Sequence, residues 1–119
     1  MSSSTFYSVV VDASDPKALA EFWAAVLGYP IVFEDDSGEE VAVAKDRDTP
    51  PALLFVKNDD PKPVKNRLHI DLNPTDQAAE VDRVIGLGAK RADVGQTGEE
   101  TWVVLADPEG NEFCVLRAR

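Results

Sequence analysis

A strand–helix–strand–strand–strand pattern is written twice in this chain of 119 residues. In the first copy, Leu19, Phe22, Trp23, Val26 and Leu27 recur at helical spacing and form one apolar stripe. Ser14 or Asp15 is placed to cap that helix, and Pro16 suits its first turn, where a missing N–H costs nothing. Gly28 is a natural stop. Strands are expected near Phe6–Val11, Pro30–Phe33, Val41–Ala44 and Ala52–Lys57, with a turn at Asp36-Ser37-Gly38. In the second copy a strand at Arg67–Leu72 leads through Asn73-Pro-Thr-Asp76 into a helix bearing Val81, Val84 and Ile85, which Gly88 ends. Strands near Lys90–Val94, Thr101–Ala106 and Glu112–Arg117 complete it. Asp15 and Asp76 stand 61 positions apart, and Gly28 and Gly88 stand 60 apart. Near-equal offsets across a whole unit indicate an internal duplication, with a period longer than that of solenoid repeats.

The duplication sets the domain organisation. Module one covers about 5–57 and module two about 67–117, joined by the polar, proline-bearing segment 58–66. A unit of that size buries a small core by itself, so the expectation is a single domain, 1–119, built from two modules. Hydrophobic residues make up 44% of the chain, which excludes general disorder. No apolar run approaches a membrane span, and Met1-Ser-Ser-Ser-Thr5 lacks the basic and apolar parts of a secretion signal, so a cytoplasmic protein without membrane contact is expected. The formal net charge of −10 offers no positive footprint for nucleic acid. The single cysteine, Cys114, has no partner for an internal disulfide and reads as a small buried hydrophobe.

Two segments carry the chemistry. Asn66-Arg-Leu-His-Ile-Asp-Leu72 holds the only histidine on an alternating stretch, and Asp107-Pro-Glu-Gly-Asn-Glu-Phe113 puts a glutamate just after a tight turn. Alternation assigns Leu68, Ile70 and Leu72 to the helix side and Arg67, His69 and Asp71 to the opposite face. On the last strand it assigns Phe113 and Val115 to the helix and Glu112, Cys114 and Leu116 to the opposite face.

The chain resembles the vicinal oxygen chelate superfamily, and within it the small glyoxalase-like proteins. The matching text is Asp15-Pro16, Phe22-Trp23, Leu27-Gly28, Asn66–Leu72 and Trp102–Leu116. The resemblance implies an α+β fold in which two tandem βαβββ modules form an open, U-shaped eight-stranded barrel-like sheet, the glyoxalase/bleomycin-resistance fold. It implies a cavity between the modules, a divalent metal (Zn, Ni, Mn or Fe) in many members, and frequent homodimers. Carried over residue by residue, the metal positions of module two are His69 and Glu112. Matching back by the repeat gives Ser8 and about Leu53 in module one, and neither residue suits a metal.

That half-set leaves alternatives open. Asp71 shares the His69 face but lies about 6.6 Å along an ideal strand, too far to join without a shift. A His69 paired with Glu112 or Asp71 satisfies both groups without metal, and Glu112 can equally close the Asp107–Asn111 turn. Phe6, Ser8, Asp71 and Trp102 fall in phase with a cavity face and are the expected contacts of an organic ligand, with Glu99 and Glu100 as an acidic rim. The favoured reading is a glyoxalase-like protein that binds a small organic molecule between the modules. The alternative is a divalent-metal-dependent lyase, isomerase or dioxygenase acting through His69 and Glu112. A module that keeps the fold without chemistry is the third.

Overall fold

The structure is a computed structural model describing residues 3–93, 95–98 and 100–119. Met1, Ser2, Val94 and Glu99 lie outside the described residues. With them go the first residues of the amino-terminal segment, the end of the expected sixth strand and the Glu99 half of the acidic rim. The chain forms two compact units that divide between Asp60 and Pro61, inside the proline-bearing segment. Each is one βαβββ module with its own four-stranded open sheet, the mixed α+β architecture expected of the fold.

In the first unit, β1 (Ser8–Ala13) leads into α1 (Pro16–Leu27), then β2 (Ile31–Glu34), β3 (Glu40–Val43) and β4 (Ala52–Lys57). Asp15 caps the helix, its side chain accepting from the Ala18 amide at 3.1 Å. Gly28 ends it in the left-handed conformation, φ 68°, which residues with a Cβ adopt at a cost. The sheet runs β1-β4-β3-β2, with β1 parallel to β4 and the other pairs antiparallel. Phe55 sits at its centre, registered with Val11 on one side and Val41 on the other, and is fully buried. Leu19, Phe22, Trp23 and Val26 of α1 are buried as the apolar stripe requires.

The second unit repeats the plan: β5 (Asp71–Leu72), α2 (Gln77–Leu87), β6 (Lys90–Arg91), β7 (Val103–Ala106) and β8 (Glu112–Val115), in sheet order β5-β8-β7-β6. Asp76 caps α2 through the Ala79 amide at 3.0 Å, and Gly88 ends it. Leu72, Val81, Val84, Leu105, Phe113 and Val115 form its core. Gln77 anchors the first turn of α2, donating to the carbonyls of Thr101 at 2.8 Å and Val115 at 3.1 Å.

All four strands of the second unit are shorter than expected, and the one ahead of α2 is cut most. The segment Arg67–Leu72 was expected to be extended throughout, yet β5 spans only Asp71 and Leu72, and Leu68 is 85% exposed rather than on the helix side. The reason lies just upstream. The Asn66 amide, which a continued strand would turn to a backbone carbonyl, donates to a Glu112 carboxylate oxygen at 2.9 Å. Pairing resumes only where the Cys114 amide reaches the Ile70 carbonyl at 2.9 Å.

Candidate functional site

The outer face of the second sheet, opposite α2, carries the site. Alternation along β8 sends Phe113 and Val115 into the core and leaves Glu112, Cys114 and Leu116 on the other side. Antiparallel pairing puts Val104 beside Cys114, and parallel pairing puts Asp71 on its other flank. A cavity of about 490 Å³ opens over this surface, lined chiefly by Trp102, Val104, Cys114 and Leu116 below and by Lys65, His69, Asp71, Glu100 and Glu112 at its edges. All of its lining residues belong to the second unit.

The charged groups are partnered in different ways. Glu112 accepts from Lys62 Nζ at 2.7 Å through one oxygen and from the Asn66 amide through the other. Burial pushes its carboxyl up, but the Asn66 amide and the Lys62 ammonium together outweigh burial and hold it below the usual carboxylate range. Glu100 turns back on its own loop, accepting from the amides of Thr97 at 2.7 Å and Gly98 at 2.9 Å, which holds its carboxyl low as well. The Asp107–Asn111 turn is closed by Asp107 itself, whose Oδ1 accepts from the amides of Glu109 and Asn111. Glu112 is therefore free of turn closure and points at Lys62.

His69 pairs with Asp71, Nε2 to Oδ1 at 3.1 Å, both side chains about half exposed. His69 stands ahead of β5, which begins only at Asp71, and the ideal strand spacing does not separate the two side chains. Cys114 Sγ completes a cluster in which one donor atom from each of the three residues lies within 4.8 Å of the others. Cys114 as a residue is 8% exposed, and burial first, then the Asp71 carboxylate, push its thiol pKa up, with Lys65 acting against them.

Of the residues expected at the site, His69, Asp71, Trp102 and Glu112 line this cavity. Phe6 and Ser8 lie in the first unit. Phe6 precedes β1 and is 64% exposed, while Ser8 opens that strand. Sequence reasoning missed two participants, Lys62 and Cys114. The alternation already put Cys114 on the Asp71 face; what was absent was the strand register that makes the two neighbours.

The family model described as glyoxalase-like domain matches residues 8–116, and the chain belongs to that family. Among solved structures, TnmS3, an antibiotic binding protein from Streptomyces sp. CB03234, is similar over 100% of this chain and 99% of its own, at 18% identity and a TM-score of 0.67. A glyoxalase/bleomycin resistance protein/dioxygenase family enzyme from Burkholderia phytofirmans PsJN is similar over 91% and 94%, at 19% identity and a TM-score of 0.67. FosX, a fosfomycin resistance protein from Listeria monocytogenes solved with Mn(II) and 1S,2S-dihydroxypropylphosphonic acid, is similar over 100% and 93%, at 13% identity and a TM-score of 0.70. Identities this low establish a shared fold and no more. Among curated proteins, none matches the chain by sequence. No helix among the described residues is long and apolar enough to cross a membrane.

Proposed function

We propose that this protein binds a small, cationic organic molecule in the cavity of its second module. The observation that carries the reading is the make-up of that cavity. Its volume of about 490 Å³ falls within the range of small-ligand sites, and apolar walls from Trp102, Val104 and Leu116 stand beside a few converging polar groups. The Trp102 indole supplies a flat face for an aromatic or cationic group, and Asp71 the negative charge. The fold it shares with an antibiotic binding protein supports the same reading. A homodimer in the cytoplasm belongs to this proposal too. The enzyme alternative through His69 and Glu112 has less support, because both Glu112 oxygens are already engaged by Lys62 and Asn66.

The test is a thermal-shift screen of cationic and neutral aromatic antibiotics, metal-free bleomycin included, followed by calorimetry on the hits. At least one compound is expected to bind, with affinity reduced tenfold or more in Trp102→Ala and in Asp71→Asn. Binding that both substitutions leave unchanged would place the ligand elsewhere and end the proposal.

A further inference from the structure

We propose that His69, Asp71 and Cys114 form a site for one thiophilic divalent cation of the Zn(II) class, on the floor of the second-module cavity. The three donors are an imidazole nitrogen, a carboxylate oxygen and a thiol sulfur, mutually within 4.8 Å. A tetrahedral Zn(II), with bonds of about 2.0–2.3 Å, keeps its ligand atoms about 3.3–3.7 Å apart. The His69–Asp71 separation of 3.1 Å is already near that value.

The backbone fixes the pair that matters most. Asp71 and Cys114 are direct partners in the parallel ladder of β5 and β8, braced by the Cys114 amide on the Ile70 carbonyl. His69 approaches from the segment just before β5. Three protein ligands would leave a fourth position of a tetrahedral ion for water or a ligand oxygen. Glu112 stays outside the set, held by Lys62 and Asn66.

The donor chemistry selects the ion. A thiolate favours Zn(II) and Co(II) over Mg(II), Ca(II) or Mn(II), which prefer all-oxygen sites. Binding replaces the S–H bond of Cys114 with an S–metal bond and releases that proton to solvent. The two anionic ligands, carboxylate and thiolate, then balance the dication, which relieves the cost of a thiolate in a buried position. This proposal goes beyond the organic-ligand reading, and the two fail separately because the metal alone is the probe here.

The experiment is a titration of the reduced, full-length protein with Co(II), followed by Zn(II) competition. A thiolate-to-cobalt charge-transfer band in the near ultraviolet is expected, saturating at one equivalent and bleached by Zn(II). Cys114→Ser abolishes the band, and Asp71→Asn and His69→Ala each weaken Co(II) binding tenfold or more. Circular dichroism checks that each variant is folded, and the exposed positions of His69 and Asp71 keep the test usable if Cys114→Ser is not. No band from folded protein would overturn the proposal. So would a band that Glu112→Gln removes while Asp71→Asn leaves it intact.

Discussion

Replacing Asp107 with alanine isolates the turn that aims the last strand. Asp107 is 4% exposed and is the buried charged residue of the described chain. Its Oδ1 accepts from the Glu109 amide at 2.9 Å and the Asn111 amide at 3.0 Å, and its Oδ2 from Asn111 Nδ2 at 3.1 Å. The backbone closes the same loop twice, Gly110 amide to Asp107 carbonyl at 2.8 Å and Asp107 amide to Asn111 carbonyl at 2.9 Å. Alanine leaves two backbone amides without their acceptor. Each loss is worth about 1–3 kcal/mol when the donor stays dry. Pro108 and Gly110 are exposed, so water reaches part of the opened turn and reduces the sum. The expected destabilisation is about 2–4 kcal/mol.

Asparagine at the same place retains an acceptor for both amides but sets its own amide against Asn111. Its expected cost is about 1 kcal/mol. Urea unfolding at neutral pH reads both variants, with the midpoint falling and the slope unchanged. A loss below about 1 kcal/mol for alanine, or equal losses for the two variants, would refute the claim that Asp107 holds the turn by accepting from these amides.

Two further predictions concern the helices. Gly86→Ala in α2 is expected to stabilise the protein by about 0.5–1 kcal/mol, since an added Cβ meets nothing within 4 Å and the backbone there is ordinary helix. Gly28→Ala also meets no atom within 4 Å, but at φ +68° it should cost about 1 kcal/mol, and thermal unfolding of the pair separates backbone strain from packing. The Arg83 guanidinium, bonded to Glu80 at 2.8 and 2.9 Å, holds the Glu80 carboxyl below its ordinary value. A lowered carboxyl stabilises the fold above the ordinary value of about 4.3 and loses that contribution as pH falls through its folded pKa. Glu80→Gln should therefore cost about 0.3–0.5 kcal/mol at pH 7, discounted for the half-exposed arginine, and nothing in acid; a difference that persists below pH of about 3 would contradict the pairing.

The helices were legible because their signals are local. Asp15 and Asp76 bond to amides three residues on, Pro16 takes the first helical position, and Gly28 has the φ its placement implied. The cavity face of β8 was legible for a similar reason, since alternation needs only neighbours. The strand before it failed on a long-range contact. Leu68 and Ile70 alternate as a buried strand should, but Glu112 draws the Asn66 amide away from the ladder across 46 positions. Lys62 is a separation of 50 from Glu112, in a segment that composition marks only as linker. The Asp71–Cys114 neighbourhood depends on parallel register, which no local pattern encodes.

The internal duplication explains why chemistry gathers in one module. Matching the repeats sets Val10 and Leu54, partners in the first sheet, against Asp71 and Cys114 in the second. The strand register moves the counterpart of Glu112 from about Leu53 to Ala52, so that Ser8 and Ala52 stand against His69 and Glu112. On the helix side the two copies agree in kind, with Phe55 and Val115 at matching places and both fully buried. That face has to be apolar, because each helix covers it and an unpaired polar group there costs several kcal/mol, about 2–7 on transfer scales. The opposite face carries no such requirement. In the first module it offers only the Ser8 hydroxyl beside the apolar Val10, Ala52 and Leu54, whereas in the second it holds an imidazole, two carboxylates and a thiol. Folding demands one face of each sheet, and the second module is the copy in which the other face has acquired groups able to bind.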